Sequence, residues 1–459
     1  MPHVVVVGGG FGGVSATEEL SREGFRVTLV DRHPYNTFQP LLYQVATGGL
    51  NPGDVTYALR YFAAKHDDVR FRRATVEGID HEAREVICDD GVRIGFDYLI
   101  IGNGITTNHF GIPGAAEYTM SMYTRAEALR VRDTIFGSLE IIAGTSDPNS
   151  GAFTVVIVGG GPTGVEMAGQ LAELKTETIP TTYPELNPAR VHVVLVEMTE
   201  HLLAPFDDEL RKYTLRELIK RGVDVRLKTA ISAVHPHKVD FKDGSSMPVD
   251  LVIWAAGVGG DKAIQSWGLP IGRAGRIEVN TDTSVVGHDR IFAVGDASVI
   301  VDEPLPQLAQ PAIQMGKHAA RQITRMYRGL ETQKFTYHDK GIMATIGRGD
   351  AVLEMPNGVK LKGVPAWVGW IVLHLAFLLG GRNRVQTLVN LGSRYAGPRR
   401  SNAIIGDVME PPRMRMLEEG TDEEEGIAEE EGTAEEEISE GEPEVTARAA
   451  SAPETTTAA

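Results

Sequence analysis

The chain alternates short apolar runs with glycine-rich turns. Residues 4–7 and 155–158 are apolar runs, and each is followed at once by clustered glycines and then by a helix-like segment. A continuous apolar run of this length is typical of a strand buried on both faces of a parallel sheet. The strand–turn–helix pattern therefore occurs twice, and the sequence predicts an α/β protein.

The first turn has the spacing of a dinucleotide-binding site. Gly8, Gly10 and Gly13 fit G-x-G-x-x-G directly after the predicted strand. The first glycine allows the turn, the second lets the backbone approach a pyrophosphate, and the third lets the helix pack on the strand. The helix N-terminus favours the negative phosphates. The next predicted strand, RVTLVD, ends in Asp31, where a carboxylate is placed to bond ribose hydroxyls.

The second turn repeats the first. Gly159, Gly161 and Gly164 have the same spacing, and Pro162 suits a first helical turn because its missing N–H costs little there. The following strand, VHVVLVE, ends in Glu197, and the next two residues are Met and Thr rather than Arg. An NADP site usually places a cation near the 2′-phosphate, so this turn predicts an NAD site.

Two complete sites predict two dinucleotides that meet in one protein. We expect FAD to be held permanently and NADH to visit, with a hydride passing between them. The run DRIFAVGDAS (289–298) resembles the second FAD motif of the two-dinucleotide-binding-domain flavoproteins, which implies that Asp296 contacts the ribityl chain of the flavin. FDYLIIGNG (96–104) and DLVIWAAGV (250–258) resemble the crossovers that end each nucleotide domain in that group.

This pattern predicts two Rossmann-like dinucleotide-binding domains, with the NADH domain inserted into the FAD domain. The expected map is an FAD-binding domain at 1–110 and 272–335, an NADH-binding domain at 111–271, a C-terminal region at 336–400 with interfacial membrane helices at about 364–396, and a disordered acidic tail at 417–459.

Net charge is concentrated at the C-terminal end. The chain carries −17, but residues 417–459 hold sixteen acidic residues and one basic residue, which leaves residues 1–416 near −2. The tail has few apolar side chains to bury, so it is predicted to be disordered, and a solvated tail is favoured over an interaction tail. No basic stripe with interleaved aromatics is present, so nucleic-acid binding is not expected. The N-terminal residues do not resemble a signal peptide.

Cysteine usage narrows the redox chemistry. The one cysteine, Cys88, lies in VICDDGVRI, a predicted hairpin. Disulfide reductases and sulfide:quinone reductases share the two-dinucleotide scaffold but rely on active-site cysteines, so both are disfavoured. No cluster of His, Cys and carboxylates has metal-ligand spacing, so no metal is expected.

Three further stretches carry a resemblance to one family. They are NTFQPLLYQVATGGL (36–50), LAQPAIQMGKHAARQI (308–323) and WVGWIVLHLAFLLGGRNR (367–384). Together they resemble the type II NADH dehydrogenases, single-chain NADH:quinone oxidoreductases that do not pump protons. The resemblance covers about residues 3–400. It implies FAD and NAD(H) as cofactors, a quinone of the ubiquinone or menaquinone class as acceptor, and a membrane surface as partner, and it leaves a homodimer open.

Two glutamines match the quinone-site motif of that family. AQPAIQ fits A-Q-x-A-x-Q at every fixed position, and its glutamines are Gln310 and Gln314. Four residues apart on a helix they share a face, and each amide donates and accepts hydrogen bonds. We expect them to bond a quinone carbonyl. The alternative is that they are two ordinary glutamines of a packed helix.

Glu166 follows the third glycine of the NAD turn. A carboxylate near a helix N-terminus is stabilised as the anion, so one interpretation is a favourable dipole partner. GPTGVE, residues 161–166, also matches the family pattern G-x-x-G-V-E. The resemblance implies that its glutamate lies near the nicotinamide–flavin–quinone junction and relays protons or positions the nicotinamide.

An uncharged apolar run predicts the membrane contact. Residues 364–381 contain no Asp, Glu, Lys or Arg. A single membrane span and a buried core helix are alternatives, but the positive-inside rule opposes a span, because arginines lie beyond the run on the side that a span would export. These are Arg382, Arg384, Arg394, Arg399 and Arg400.

The favoured interpretation is a monotopic anchor on the cytoplasmic face of the cell membrane. Val385, Leu388, Val389 and Tyr395 form one helical stripe, with Arg384 and Arg394 off it. A basic amphipathic helix of this kind lies in the interface against anionic lipid.

The expected reaction is hydride transfer from NADH to flavin, followed by two-electron transfer to quinone. Two alternatives stay open. The first is an NADH-dependent flavoprotein that reduces a soluble acceptor such as a ferredoxin, a rubredoxin or oxygen, independently of lipid. The second is a non-catalytic NADH-binding redox sensor, which predicts slow reoxidation.

Overall fold

The computed structural model describes residues 1–145, 147, 152–301 and 303–397. The predicted acidic tail at 417–459, together with Arg399 and Arg400, lies outside the described residues. The α-helices of the described residues are α1 Phe11–Arg22, α2 Leu42–Ala46, α3 Leu59–Ala63, α4 Ala115–Tyr118, α5 Arg125–Ala143, α6 Pro162–Glu173, α7 Ile179–Thr182, α8 Asp208–Lys220, α9 Ala309–Tyr327, α10 Val364–Phe377 and α11 Gly381–Ala396.

An eight-stranded sheet carries the first glycine turn. Its central strands are parallel and buried, as the continuous apolar runs predict, while Ser284–Val285 pairs antiparallel with both of its neighbours. In spatial order the strands are Ser298–Ile300, Ile277–Val279, Ser284–Val285, His288–Ala293, Tyr98–Ile101, His3–Val7, Arg26–Asp31 and Val69–Arg73.

A five-stranded parallel sheet carries the second glycine turn. Its spatial order is Met120–Ser121, Leu251–Trp254, Phe153–Val158, Val191–Val196 and Val223–Arg226. All of its strand pairs are parallel, so their carboxyl ends meet at one edge. Ligands bind at that edge in open α/β sheets. The predicted fold class, two dinucleotide-binding parallel sheets in an α/β protein, is confirmed.

Smaller antiparallel sheets complete the described residues. They are Val76–Asp80 with Glu85–Cys88 and Arg93–Gly95, Ile231–His235 with Lys238–Phe241 and Ser246–Pro248, Ile342–Gly347 with Asp350–Glu354 and Lys360–Lys362, Tyr35–Thr37 with Thr56–Ala58, and Ile105–Thr107 with Val258–Gly260. Cys88 ends a strand of a hairpin, as predicted, and it is buried.

The C-terminal strand Ile342–Gly347 packs directly on α6. A Cβ built on Gly169 of α6 would lie 2.0 Å from the Ile346 carbonyl oxygen, so only glycine allows this approach. The apolar core beside α6 continues into the C-terminal helices, because Trp370 of α10 and Leu391 of α11 belong to it. The C-terminal region is therefore packed against the helix that begins at the second glycine turn.

The predicted apolar run at 364–381 folds as α10 and the start of α11, separated by Gly380 with φ +83°. Within the residues the structure describes, no helix is both long and apolar enough to cross a membrane. The single-span alternative is therefore wrong for these residues. The buried-core alternative holds for one face of α10 only, which carries the buried residues Ala366, Trp370 and His374.

One part of the predicted amphipathic stripe needs correction. Val385, Leu388 and Val389 are exposed, as the stripe predicts. Arg394, however, is only 4% exposed, and Tyr395 packs partly against the core. The reason is that the face of α11 turned toward the protein holds hydrogen-bonding partners for polar side chains. Arg394 is therefore a buried cation and cannot attract lipid.

Candidate active site

The first glycine turn has the geometry that its spacing predicts. Gly8 has φ +103°, a conformation that side chains strain. A Cβ on Gly13 would lie 1.8 Å from the Gly8 carbonyl oxygen, so α1 packs on its strand only with glycine there. A Cβ on Gly10 would meet no other atom nearer than 4.0 Å. Gly10 thus leaves open space at the N-terminus of α1, where a pyrophosphate fits.

The second glycine turn reproduces these distances. Gly159 has φ +112°, and a Cβ on Gly164 would again lie 1.8 Å from a carbonyl oxygen, that of Gly159. A Cβ on Gly161 would meet nothing within 4 Å. Pro162 begins α6, as predicted. The equal glycine spacing of the two turns therefore corresponds to open space at the same position of each turn, beside Gly10 and Gly161.

Each turn also holds the carboxylate at the end of its second strand. Asp31 accepts hydrogen bonds from the backbone N–H groups of Gly9, at 2.5 Å, and His33, at 2.6 Å. Glu197 accepts from Gly160 at 2.6 Å and from Thr199 at 2.7 Å. Both carboxylates are thus fixed beside their turns. Each retains acceptor capacity for ribose hydroxyls.

A cavity lined with polar groups lies beside the first turn. It has a volume of about 240 Å³ and is lined by Gly8, Gly9, Gly10 and Asp31 among others. Four buried polar atoms of its lining residues have no partner within the protein: Gln39 Oε1, Asn103 Oδ1, Arg125 Nε and Trp267 Nε1. Buried polar groups of folded proteins are almost always hydrogen-bonded. A polar cofactor in this cavity supplies the missing partners.

Asp296 lies in the turn that follows the strand His288–Ala293, close to the N-terminus of α9. A Cβ on Gly295 would lie 2.8 Å from Ala312 of α9, so this turn and helix are in close contact. Burial raises the pKa of Asp296 to about 6, against the opposing effect of the nearby Arg276. At neutral pH the carboxyl is therefore mainly ionised and accepts hydrogen bonds.

The two glutamines of the quinone motif lie together on α9, but their partners differ. Gln314 Nε2 is 3.4 Å from Gln310 Oε1. The Gln314 amide also donates to the His338 carbonyl at 3.0 Å and accepts from the His338 N–H at 3.0 Å. Gln314 therefore holds the segment around His338 against α9. Among the described residues, Gln310 has no such anchor, so its Nε2 is the more available donor.

Glu166 is buried among side chains where α6 meets other parts of the chain. Its Oε1 accepts from the Thr345 N–H at 3.3 Å, and Thr345 Oγ1 is 2.9 Å from the Tyr43 hydroxyl. Trp370 of α10 packs on Tyr43, with ring centroids 6.2 Å apart, and stacks on His374 at 4.1 Å. We call Tyr43, Glu166, Thr345, Trp370 and His374 the buried pocket.

The buried pocket keeps its ionisable groups neutral. Burial raises the pKa of Glu166 to about 8, and the Thr345 N–H only partly offsets this. Burial lowers the pKa of His374 to about 4. At neutral pH Glu166 is therefore mainly protonated and His374 is uncharged. The interpretation of Glu166 as an anion stabilised by the helix dipole is not supported, because no described cation compensates its burial.

Aromatic contacts connect the buried pocket to the first glycine turn. Phe38 lies edge-on to His374, with ring centroids 5.9 Å apart, and Phe11 lies edge-on to Phe38 at 5.6 Å. Phe11 is the first residue of α1 and sits within the first turn. Because α6 begins at the second turn, the pocket is linked to both nucleotide turns through packed side chains.

The sequence patterns do not identify four residues of the buried pocket as site residues: Tyr43, Thr345, Trp370 and His374. Tyr43 and the two α10 residues lie within stretches that carry the family resemblance, and His374 is the one ionisable side chain of the apolar run. That isolated histidine was the available signal. Thr345 lies in a buried strand and offered none. Among the described residues there is no group of three or more potential metal ligands.

Comparisons with known proteins define the class. Residues 2–316 match the family model described as pyridine nucleotide-disulphide oxidoreductase, which is well over half of the chain. The chain belongs to that family. It has a single cysteine, Cys88, so it holds no intrachain pair of thiols for the disulphide chemistry of the family name.

Relatives define the narrower group. A type II NADH:quinone oxidoreductase of Mycobacterium tuberculosis is 34% identical over 432 residues, covering 90% of this chain and 91% of the relative. One of Staphylococcus haemolyticus is 30% identical over 363 residues, covering 76% and 88%. The chain belongs to the type II NADH:quinone oxidoreductases. The solved structure of NDH2 from Plasmodium falciparum in complex with NADH shares the fold, with a TM-score of 0.80 at 20% identity, covering 87% of this chain and 99% of that one.

Proposed function

We propose that the protein oxidises NADH and reduces a membrane quinone of the ubiquinone or menaquinone class, with FAD as resident cofactor and without pumping protons. The observation that carries this proposal is the buried pocket. It connects through α6 to the NAD turn and through Phe38 and Phe11 to the FAD turn. It also reaches α10, the apolar helix.

The first turn binds FAD and the second binds NADH. Bound FAD supplies a two-electron acceptor for the hydride of NADH and a two-electron donor for the quinone. Gly10 and Gly161 leave room for the two pyrophosphates, while Asp31 and Glu197 bond the riboses. Glu197 repels a 2′-phosphate, which supports NADH rather than NADPH as the donor. The role proposed for Asp296 is a hydrogen bond to the ribityl chain.

The quinone side requires donors of hydrogen bonds and a proton. Hydride transfer brings two electrons and one proton, so reduction of a quinone to a quinol needs one more proton. Glu166, protonated at neutral pH, is able to supply it to a quinone oxygen and regain it from solvent. Gln310 Nε2 is the proposed donor to a quinone carbonyl, and Gln314 holds the neighbouring segment. Before the proton is transferred, neither Glu166 nor Gln310 places a charge beside the apolar acceptor.

The acceptor is proposed to arrive from a lipid surface at α10 and α11. The inward face of α11 is polar: Asn383 donates to the Thr56 carbonyl, Thr387 to the Asp54 carbonyl and Asn390 to the Asp54 carboxylate. The outward face is apolar, which reverses the usual pattern of a surface helix. Its exposed side chains and those of α10 are Val364, Val368, Val372, Phe377, Val385, Leu388 and Val389.

An exposed apolar surface rimmed by cations fits a monotopic membrane contact. Arg382 and Arg384 are exposed beside it, and both suit anionic headgroups. We therefore propose attachment to the cytoplasmic face of the cell membrane. A Leu388→Glu variant should lose most binding to vesicles of anionic phospholipid in sedimentation. Ile219→Glu is the matched control, because Ile219 is 55% exposed on α8 and Leu388 is 54% exposed on α11. Equal binding by both variants contradicts the lipid contact.

The reaction itself is tested by anaerobic stopped flow. NADH is added first and a quinone second, while flavin absorbance is followed. We expect bleaching with NADH and recovery with quinone at a rate that supports turnover. Rapid recovery only with ferredoxin, rubredoxin or oxygen favours the soluble-acceptor alternative. Slow recovery with every acceptor favours the redox sensor.

A further inference from the structure

Arg394, near the end of α11, is a buried cation with partners on two other helices. Its Nη1 is 2.8 Å from Glu173 Oε1 of α6, and its Nε is 3.1 Å from Gln44 Oε1 of α2. Its Nη2 donates to Gln170 Oε1, also on α6. One guanidinium thus joins α2, α6 and α11.

The surrounding backbone is shaped around this guanidinium. A Cβ on Gly49 would lie 2.5 Å from Arg394 Nε and 2.5 Å from Gln44 Oε1. The planar fork of arginine donates in several fixed directions at once, which the single ammonium of lysine does not reproduce. The site is therefore specific for arginine and not merely for a positive charge.

The residues bound by Arg394 are chain neighbours of the buried pocket. Gln44 directly follows Tyr43 on α2. Gln170 and Glu173 lie four and seven residues after Glu166 on α6, which places them on the same helix face. Arg394 consequently ties together the two helices that carry Tyr43 and Glu166.

Stability alone does not account for this group. A buried ion pair often stabilises a protein no more than apolar residues of similar size, because both charges lose their hydration. Here the guanidinium also bonds two amides on different helices, so it fixes their separation. Its own helix presents Val385, Leu388 and Val389 outward. The position of α11 and the arrangement of side chains in the buried pocket are therefore coupled through the contacts of Arg394.

We infer that Arg394 is a positioning residue for quinone reduction, because it fixes α2 against α6 and thereby sets the distance between Tyr43 and Glu166. The inference rests on the proposed function of the buried pocket. Small misplacements at a reacting centre cost up to about a hundredfold in rate. The NADH side does not depend on this contact, so its rate should not change.

The first test compares half-reactions in Arg394→Met. We expect flavin reoxidation by quinone to slow about ten- to hundredfold, with a raised KM for quinone. Flavin reduction by NADH should stay within about twofold of the unmodified protein, since Arg394 bonds neither glycine turn. Arg22→Met is the matched control, because it breaks an exposed arginine–glutamate pair on α1. Equal slowing of both half-reactions in Arg394→Met overturns the inference.

A double variant separates positioning from charge neutralisation. Arg394→Met alone removes the guanidinium that is paired with the buried Glu173 carboxylate at 2.8 Å, so it lowers the Tm. Arg394→Met combined with Glu173→Met removes both charges, so the Tm should recover. If Arg394 positions α2, quinone reduction stays slow, because the bond to Gln44 is still absent. Recovery of the quinone rate together with the Tm overturns the inference.

Two further measurements complete the test. If Arg394→Met alone fails to retain flavin, the inference is tested by comparing the quinone reduction rates of the double variant and the unmodified protein. Arg394→Lys keeps a positive charge beside Glu173, so its Tm should fall less than that of Arg394→Met, and yet it should reduce quinone slowly. A normal quinone rate overturns the inference. The unmodified protein is assayed in parallel. If it does not reduce quinone, the proposed function fails, and this result is distinct from failure of Arg394 alone.

Discussion

Three carboxyl groups of one fold behave differently because their immediate partners differ. Glu197 is held by two backbone N–H groups. Glu173 is paired with Arg394 at 2.8 Å. Glu166 accepts a long hydrogen bond from the Thr345 N–H at 3.3 Å, and burial raises its pKa to about 8, so it keeps its proton at neutral pH. The surroundings of Glu166, and not its residue type, therefore make it a proton donor at neutral pH.

The pH dependence of quinone reduction should report the Glu166 carboxyl. With a pKa of about 8 it is protonated below that pH, so the rate of flavin reoxidation by quinone should fall as pH rises through about 8. Glu166→Gln should be slower and should not show this decline. Stopped-flow rates from pH 6 to 10 measure both profiles. An unchanged pH profile in Glu166→Gln excludes the carboxyl as proton donor.

Stability should report the same group in a lower pH window. The pKa of Glu166 is raised from 4.5 to about 8 on folding, so between these values the unfolded chain ionises while the folded chain keeps the proton. Stability of the unmodified protein should therefore fall with rising pH across this window, relative to Glu166→Gln. The difference in Tm between the two proteins at pH 5 and pH 8 gives the sign.

The two glutamines of α9 should separate in their effects. Gln310→Leu should slow flavin reoxidation by quinone about five- to 150-fold, the cost of about 1–3 kcal/mol for a lost hydrogen bond. Gln314→Leu should in addition lower the Tm, because it leaves the His338 N–H and carbonyl without their partner. Rates and melting curves of both variants provide the check. Identical behaviour contradicts the division of roles.

At the scale of elements, features that lie within one continuous stretch of sequence are predictable, whereas clusters built from distant stretches are not. The glycine turns, Asp31 and Glu197 follow from spacing within one strand–turn–helix unit, which is a local property. The buried pocket joins Tyr43, Glu166 and Trp370 from separate elements, and no spacing rule relates them. Arg394 was assigned to the polar side of α11 correctly, but its partner Glu173 lies 221 positions away, so its burial was invisible to helical periodicity.

The two turns should be separable by the same substitution. Gly13→Ala and Gly164→Ala each place a Cβ 1.8 Å from a carbonyl oxygen of the turn. Gly13→Ala should yield protein that has lost FAD and is colourless. Gly164→Ala should stay yellow but bleach slowly with NADH, because only its NADH turn is distorted. Flavin content and NADH reduction rate distinguish them. Loss of FAD in Gly164→Ala is the contrary result.

At the scale of the whole molecule, the C-terminal helices are part of the core rather than a detachable anchor. Trp370 is fully buried and Leu391 is 2% exposed. Arg394 neutralises the buried Glu173. The C-terminal helices α10 and α11 therefore present an apolar face to the exterior and also contribute side chains to the hydrophobic core. The sequence does not predict that α10 and α11 have both roles, because an apolar, uncharged run is equally compatible with membrane contact and with burial in a core.

Truncation before Val364 should consequently destabilise the body as well as release it from lipid. Removal of Arg394 takes away the cation that is paired with the buried Glu173 at 2.8 Å, which costs about 3–5 kcal/mol, and loss of Trp370 uncovers Tyr43. The Tm of the flavin-loaded truncated protein should fall clearly. Truncation after residue 416 is the control, since the acidic segment has few apolar side chains for a core. An unchanged Tm in the shorter protein contradicts the packing role.

The four unpartnered polar atoms of the FAD cavity have a consequence for how much of this protein a cell contains. A chain without flavin keeps Gln39, Asn103, Arg125 and Trp267 partly unsatisfied, so ligand binding and folding are coupled. Unfolded chains are removed by cellular proteases. A riboflavin-limited cell should therefore contain less of the protein, rather than a store of colourless enzyme awaiting vitamin.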